Sequence, residues 1–106
     1  MLKVDLNTID AEEILPGFRV KVVHSEHMTL THWDIKAGSS LPEHSHPHEQ
    51  VTNMIEGELE LIVDGESNIL KPNSVVVIPS NATHSGKAIT GCRVIDVFYP
   101  TREDYR

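Results

Sequence analysis

His44, His46, His48 and Gln50 alternate with Ser45, Pro47 and Glu49, so a strand over this run would set all four on one face. Imidazole nitrogen is the commonest protein ligand of first-row divalent ions, and an amide oxygen is a weaker but usable partner. The spacing therefore points to a metal site. A histidine-rich solvated loop or a tag fragment would show the same run, and HSHPH by itself does not decide between them. His24, His27 and His32 stand apart from the cluster and are not assigned to metal.

A second chemistry-bearing position lies in Val94 to Tyr99. A period of two sets Asp96 and Phe98 on one face, opposite Ile95, Val97 and Tyr99. An aspartate within an apolar strand is costly unless paired or used, which makes Asp96 a candidate general acid or base. Satisfaction by turn amides or by Arg93 is the structural alternative. Arg102 follows shortly after. At the mouth of a metal site its guanidinium would grip a carboxylate with two parallel hydrogen bonds, whereas a surface arginine would do nothing of the kind.

The elements that must position these groups are short β-type runs. Arg19 to His24 and Met28 to Ile35 read as a hairpin parted by Ser25-Glu26-His27. Trp33, in the second run, reads as a core anchor rather than a substrate platform. Val51 to Ile55 and Leu59 to Val63 flank Glu56-Gly57-Glu58, and Asp64-Gly65 is a strong turn signal, so both turns are expected to join antiparallel strands. Val75 to Ile78, continuously apolar, reads as a strand buried on both faces, and Gly91 to Phe98 closes the β content. Residues 1–18 are irregular, with one helical turn expected over Asp10 to Leu15, and serve as a packing segment or lid. Many short strands punctuated by Gly, Pro and Asn imply an all-β sandwich or barrel.

Composition narrows the function. At 106 residues one domain, 1–106, is expected. A formal net charge of -7 with nine scattered Lys and Arg excludes a nucleic-acid stripe. No apolar run reaches the ~20 residues of a membrane span, and the first residues lack a signal-peptide pattern. The single Cys92 makes no internal disulfide, so a cytoplasmic protein is expected.

Two stretches together go further. Gly38, His44, His46, Gln50 and Gly57 carry a spacing that resembles the first motif of the cupins, where the last ligand position is usually glutamate. Pro79, Asn81 and His84 in KPNSVVVIPSNATH are similar to the second motif, with Asn73 and Asn81 at positions usually held by glycine and Ala88 where asparagine is usual. Asparagine is the non-glycine residue that best tolerates positive φ. The ending DVFYPTREDY, with HSHPHEQ, is further similar to the KdgF-type cupins of pectin and alginate breakdown.

The resemblance implies a double-stranded β-helix, or jelly-roll barrel, with both motifs at its mouth. It implies the metal ligands His44, His46, Gln50 and His84 around one divalent transition ion (Zn, Ni, Fe, Mn or Co), with His48 at the rim. Neutral ligands would leave the ion its full charge and a strong Lewis acidity. It further implies Asp96, Phe98 and Arg102 as catalytic residues that open a 4,5-unsaturated uronate, a small carboxylated substrate, without oxidation. A homodimer is expected from the family. A cupin dioxygenase using the same ligands, or a non-catalytic sugar sensor, are the competing readings.

Overall fold

The computed structural model describes residues 1–106. Ten strands carry the chain: β1 Glu12–Leu15, β2 Phe18–His24, β3 Thr29–Ile35, β4 Ser40–His44, β5 Glu49–Glu56, β6 Leu59–Val63, β7 Glu66–Leu70, β8 Val75–Ile78, β9 His84–Ala88 and β10 Cys92–Tyr99. Single 3-10 turns occupy Leu6–Thr8 and Glu103–Tyr105. All pairings are antiparallel, in a six-stranded sheet ordered β1-β2-β3-β10-β5-β8 and a four-stranded sheet ordered β4-β9-β6-β7. This is the jelly-roll arrangement of the cupin double-stranded β-helix. No helix is long and apolar enough to cross a membrane.

Inward-facing residues of both sheets meet in one apolar cluster that includes Phe18, Ile35, Met54, Leu59, Leu61, Ile78 and Val94. Trp33 packs against this cluster edge-on to Phe18, as a core anchor would, and its indole Nε1 donates to Thr31 Oγ1 at 2.8 Å. Strict alternation in β10 buries Cys92, Val94, Asp96 and Phe98 and turns Arg93, Ile95, Val97 and Tyr99 outward.

Register across the six-stranded sheet lines residues up in rows. One inner row runs Val22, Thr31, Asp96, Thr52, Val76, and the next runs His24, Thr29, Phe98, Gln50, Ile78. On the outer face Val23, Leu30, Val97, Val51 and Val77 form an aliphatic row across five strands, none of them buried.

Several expectations change. Asp10 to Leu15 makes no helical turn; Glu12–Leu15 is instead an edge strand, because β2 offers it an open row of backbone partners. The histidine run is not one strand. It leaves β4 of the four-stranded sheet at His44, crosses a loop through Pro47, which has no N–H to give a ladder, and enters β5 of the six-stranded sheet at Glu49. Glu56-Gly57-Glu58 joins no hairpin: β5 and β6 lie in different sheets. At this corner Gly57 has φ +85°, and a Cβ would run into the Gly91 carbonyl. Val75 to Ile78 is buried on one face only; β8 is an edge strand, and Val75 and Val77 are each 59 % exposed. The Asp64-Gly65 hairpin between β6 and β7 forms as expected, both residues at positive φ.

Candidate metal centre

Each histidine of the centre is placed by a different local device. His44 ends β4 and pairs directly with His84, the first residue of β9, so the four-stranded sheet brings two residues forty apart in sequence side by side. His46 sits in the loop between β4 and β5. Its carbonyl accepts the Asn81 N–H at 2.8 Å, and Asn81 reaches it from a positive φ of 66°. Asn73 likewise has φ 74°. Asparagine thus serves the left-handed turns at both positions usually held by glycine.

All three rings are oriented through Nδ1. His44 Nδ1 faces the Pro42 carbonyl at 2.8 Å, His46 Nδ1 the His48 carbonyl at 3.0 Å, and His84 Nδ1 the Ala82 carbonyl at 3.0 Å. A carbonyl only accepts, so each Nδ1 carries the proton and each Nε2 is left with a bare lone pair. This backbone support of the far nitrogen is how metal-binding imidazoles are commonly held. One ligand atom from each of the three lies within 4.8 Å of the others. His84 Nε2 is buried with no hydrogen-bond partner.

Burial and neighbouring charge disfavour the protonated forms of His46 and His84. Burial, then the positive charge of Arg102 and the neighbouring His84, push the His46 pKa down to about 4, against weaker opposing effects of Gln50 and the His48 carbonyl. Burial also lowers His84, with His44 and Arg102 adding to it. Gln50, buried at the start of β5, directs Oε1 at His46 Nε2 across 3.0 Å while its amide nitrogen donates to Thr52 Oγ1 at 3.0 Å. Neutral His46 has one ring proton for two facing acceptors, the His48 carbonyl and Gln50 Oε1, and a cation coordinated by both Nε2 and Oε1 would satisfy the one left over. With the orphaned His84 Nε2, this donor set fits a divalent metal ion.

His48 stands aside from the cluster. Its carbonyl orients His46, its ring lies 5.5 Å from that of His46, and its own Nδ1 is buried without a partner. Glu49 is exposed on the other face.

The histidines border a cavity of about 320 Å³ between the two sheets. That is the low end of the range for small-molecule sites. Asp96 lies in its wall, 8 % exposed, between Thr31 and Thr52 in the inner row. Burial raises its pKa to about 6, although donors on Thr52, Gln50 and Trp33 and the charge of Arg102 hold the rise back. Its Oδ1 nevertheless has no well-formed hydrogen bond. Arg93 does not satisfy it: that guanidinium is on the outer face beside Asp34 and Glu56.

Arg102 is not a surface residue. Asp104 grips it through Nε at 2.9 Å and Nη2 at 2.7 Å, and its Cζ stacks 4.8 Å from the Phe98 ring centre and 4.4 Å from that of Tyr105. Held along one edge by Asp104 and packed against two rings whose centres lie 6.2 Å apart and whose planes are steeply inclined, the guanidinium keeps Nη1 outside the Asp104 contacts, for another partner. Phe98 also meets the His46 ring edge-on at 5.5 Å, bridging metal centre and arginine. Ile14 and Leu15 of β1, with Phe18, Trp33, Leu41 and Leu59, contribute to the apolar part of the wall.

Tyr105 and Asp104 were not singled out by sequence reasoning, since nothing in EDY near the end of the chain marks them as partners of Arg102. Thr52 follows Gln50 at a period of two and was open to detection.

Residues 31–98 match the family model Cupin_2, described as a cupin domain. The pectin degradation protein KdgF of Dickeya dadantii (strain 3937) is 27% identical over 97 residues, covering 89% of this chain and 88% of that protein. The structure of KdgF from Halomonas sp. superposes with a TM-score of 0.89 at 26% identity, covering 94% of both chains. An RmlC-like cupin from Shewanella frigidimarina NCIMB 400 superposes with a TM-score of 0.90 at 27% identity, covering 94% of this chain and 91% of that one.

Proposed function

This chain belongs to the Cupin_2 family, and from that premise we propose that it is a metal-dependent, non-oxidative enzyme that opens and tautomerises a 4,5-unsaturated uronate. One observation carries the reading. Asp96, buried and with one carboxylate oxygen unpartnered, lines the same cavity as His44, His46, His84 and Arg102. An acid–base group, a cation site and a carboxylate anchor are what proton transfer on an acidic sugar requires.

His44, His46, Gln50 and His84 would hold the ion, one of Zn, Ni, Fe, Mn or Co. A divalent ion on these neutral donors supplies Lewis-acid polarisation of a substrate oxygen. Arg102 takes the substrate carboxylate through its unengaged edge, and Phe98 walls the ring while keeping the guanidinium in plane. Asp96 moves the proton. Ring opening breaks the C1–O5 bond as O1 loses its proton and C1 becomes an aldehyde. The enol left at C5 then gives its oxygen proton up and gains one at C4, leaving a ketone. No atom and no electron is gained or lost, so no oxidant is needed. Apolar walls suit the dehydrated C4–C5 edge, which has lost a hydroxyl.

The KdgF relatives support the substrate class, since the Dickeya protein is named for pectin degradation. A dioxygenase would use the same histidines but leaves the buried Asp96 and the clamped Arg102 without a task. The protein works in the cytoplasm as a homodimer, with a second copy covering the outer aliphatic row of Val23, Leu30, Val97, Val51 and Val77. Turnover in D2O followed by NMR tests the chemistry: deuterium at C4, in one stereochemical position, is expected. A mixture of both positions at the spontaneous rate would contradict it.

A further inference from the structure

Arg102 can receive a carboxylate only while the turn that carries it stays against the barrel. The bidentate partner Asp104 lies on the same turn, so it fixes the side chain relative to the turn and not the turn relative to the site. The anchoring comes from the far side of the sheet's inner face. Thr29, fully buried at the start of β3, accepts the Arg102 backbone N–H on Oγ1 at 2.8 Å. Its hydroxyl also lies 2.8 Å from Nδ1 of His24, its cross-strand partner in β2. The Tyr105 carbonyl, 3.4 Å from Nε2, can only accept, so a neutral imidazole that donates to it from Nε2 takes the Thr29 hydroxyl proton at Nδ1. The Tyr105 N–H donates to the Arg102 carbonyl at 3.2 Å and closes the circuit.

We infer that Thr29 and His24 are positioning residues that clamp the Arg102–Tyr105 turn and thereby set the carboxylate-binding guanidinium; this rests on the function proposed above. Each polar contact of the clamp runs in one direction, from Arg102 through Thr29 to His24 and back to Tyr105. Both ends of the turn are therefore tied to the β2–β3 hairpin, with Thr101 Oγ1 reaching the Glu26 carbonyl at 3.4 Å as a third tie. Neither residue touches the metal cluster or reacts. Loss of the clamp is expected to weaken capture of the carboxylate while leaving proton transfer by Asp96 intact.

The test uses metal-loaded protein and two readouts. In Thr29→Val, which keeps the shape but removes the acceptor, the Arg102 amide is expected to exchange with solvent about tenfold faster or more. KM for 4,5-unsaturated galacturonate is expected to rise about tenfold with kcat within about twofold. Thr29→Ser restores both to near wild type. His24→Phe follows the valine variant in a smaller degree, and His24→Asn, whose amide oxygen can accept the Thr29 hydroxyl, recovers part of the loss. Unchanged Arg102 exchange in both Thr29→Val and His24→Phe overturns the clamp; so does a serine variant no better than the valine one. Absence of turnover by the wild type would remove the uronate reading alone. The clamp is then decided by the exchange rates and by affinity for D-galacturonate, which the valine change is expected to weaken about tenfold.

Discussion

His46 Nε2 and Gln50 Oε1 face each other at 3.0 Å, held in place by the His48 carbonyl and by Thr52, and a neutral His46 has only one ring proton for the two acceptors its nitrogens face. That pair is the strongest physical argument for a cation at this position. It also singles out Gln50 as the ligand whose charge can be changed at nearly constant shape.

Gln50→Glu is expected to bind a divalent ion about tenfold tighter or more, because a carboxylate cancels one unit of its charge, and to lower kcat for the same reason. Calorimetric metal titration beside steady-state kinetics reads both. Tighter binding with undiminished kcat would show that Lewis acidity does not limit the reaction.

Metal loading is expected to raise the melting temperature in proportion to the logarithm of free metal above its Kd, since only the folded chain assembles His44, His46 and His84. His84→Ala should abolish that shift. A melting temperature indifferent to Zn, Ni, Co, Mn and Fe in the wild type would remove the centre.

Asp96 and His46 place opposite pH dependences on the metal-free protein. The Asp96 pKa is raised from 3.8 to about 6, so the native state binds more protons in that window and Asp96 opposes folding progressively as pH rises through it. His46 is lowered from 6.5 to about 4, so the unfolded state binds more protons there and stability falls as pH drops from about 6.5. The two trends offset each other. Asp96→Asn is expected to stabilise the metal-free protein at pH 7.5 by on the order of 1–3 kcal/mol and to steepen its loss of stability between pH 6.5 and 4. Urea unfolding across that range checks it; equal slopes in the two proteins would contradict the assignment.

Arg102→Lys keeps the charge but loses the planar fork that Asp104 and the two aromatic faces hold. KM for the carboxylated substrate should rise about tenfold or more, with a smaller change in kcat. An unaltered KM would place the carboxylate elsewhere.

Much of the site was legible because period-two alternation is a strong local signal: it set Asp96 and Phe98 inward correctly within one strand. The metal motif was legible for a different reason from the one its alternation offered. His44, His46 and Gln50 converge across a strand end, a loop and a strand start, and His84 joins them through a cross-strand pair that no local pattern encodes. Val75 to Ile78 misled because continuous hydrophobicity does not distinguish a central strand from an edge whose outer face is apolar. The Glu56 to Glu58 corner misled because a glycine turn looks alike whether it returns to its own sheet or crosses to the other. His24 carried no signal at all, since its partners lie at Thr29 and Tyr105.

The most direct measurement is anaerobic. Metal-loaded protein is mixed with 4,5-unsaturated galacturonate and the ring enol-ether absorbance is followed with and without a chelator. The account predicts loss faster than the spontaneous reaction, without oxygen, abolished by the chelator and by Asp96→Asn while that variant still holds its metal. Absorbance decaying at the spontaneous rate with the metal bound would contradict it.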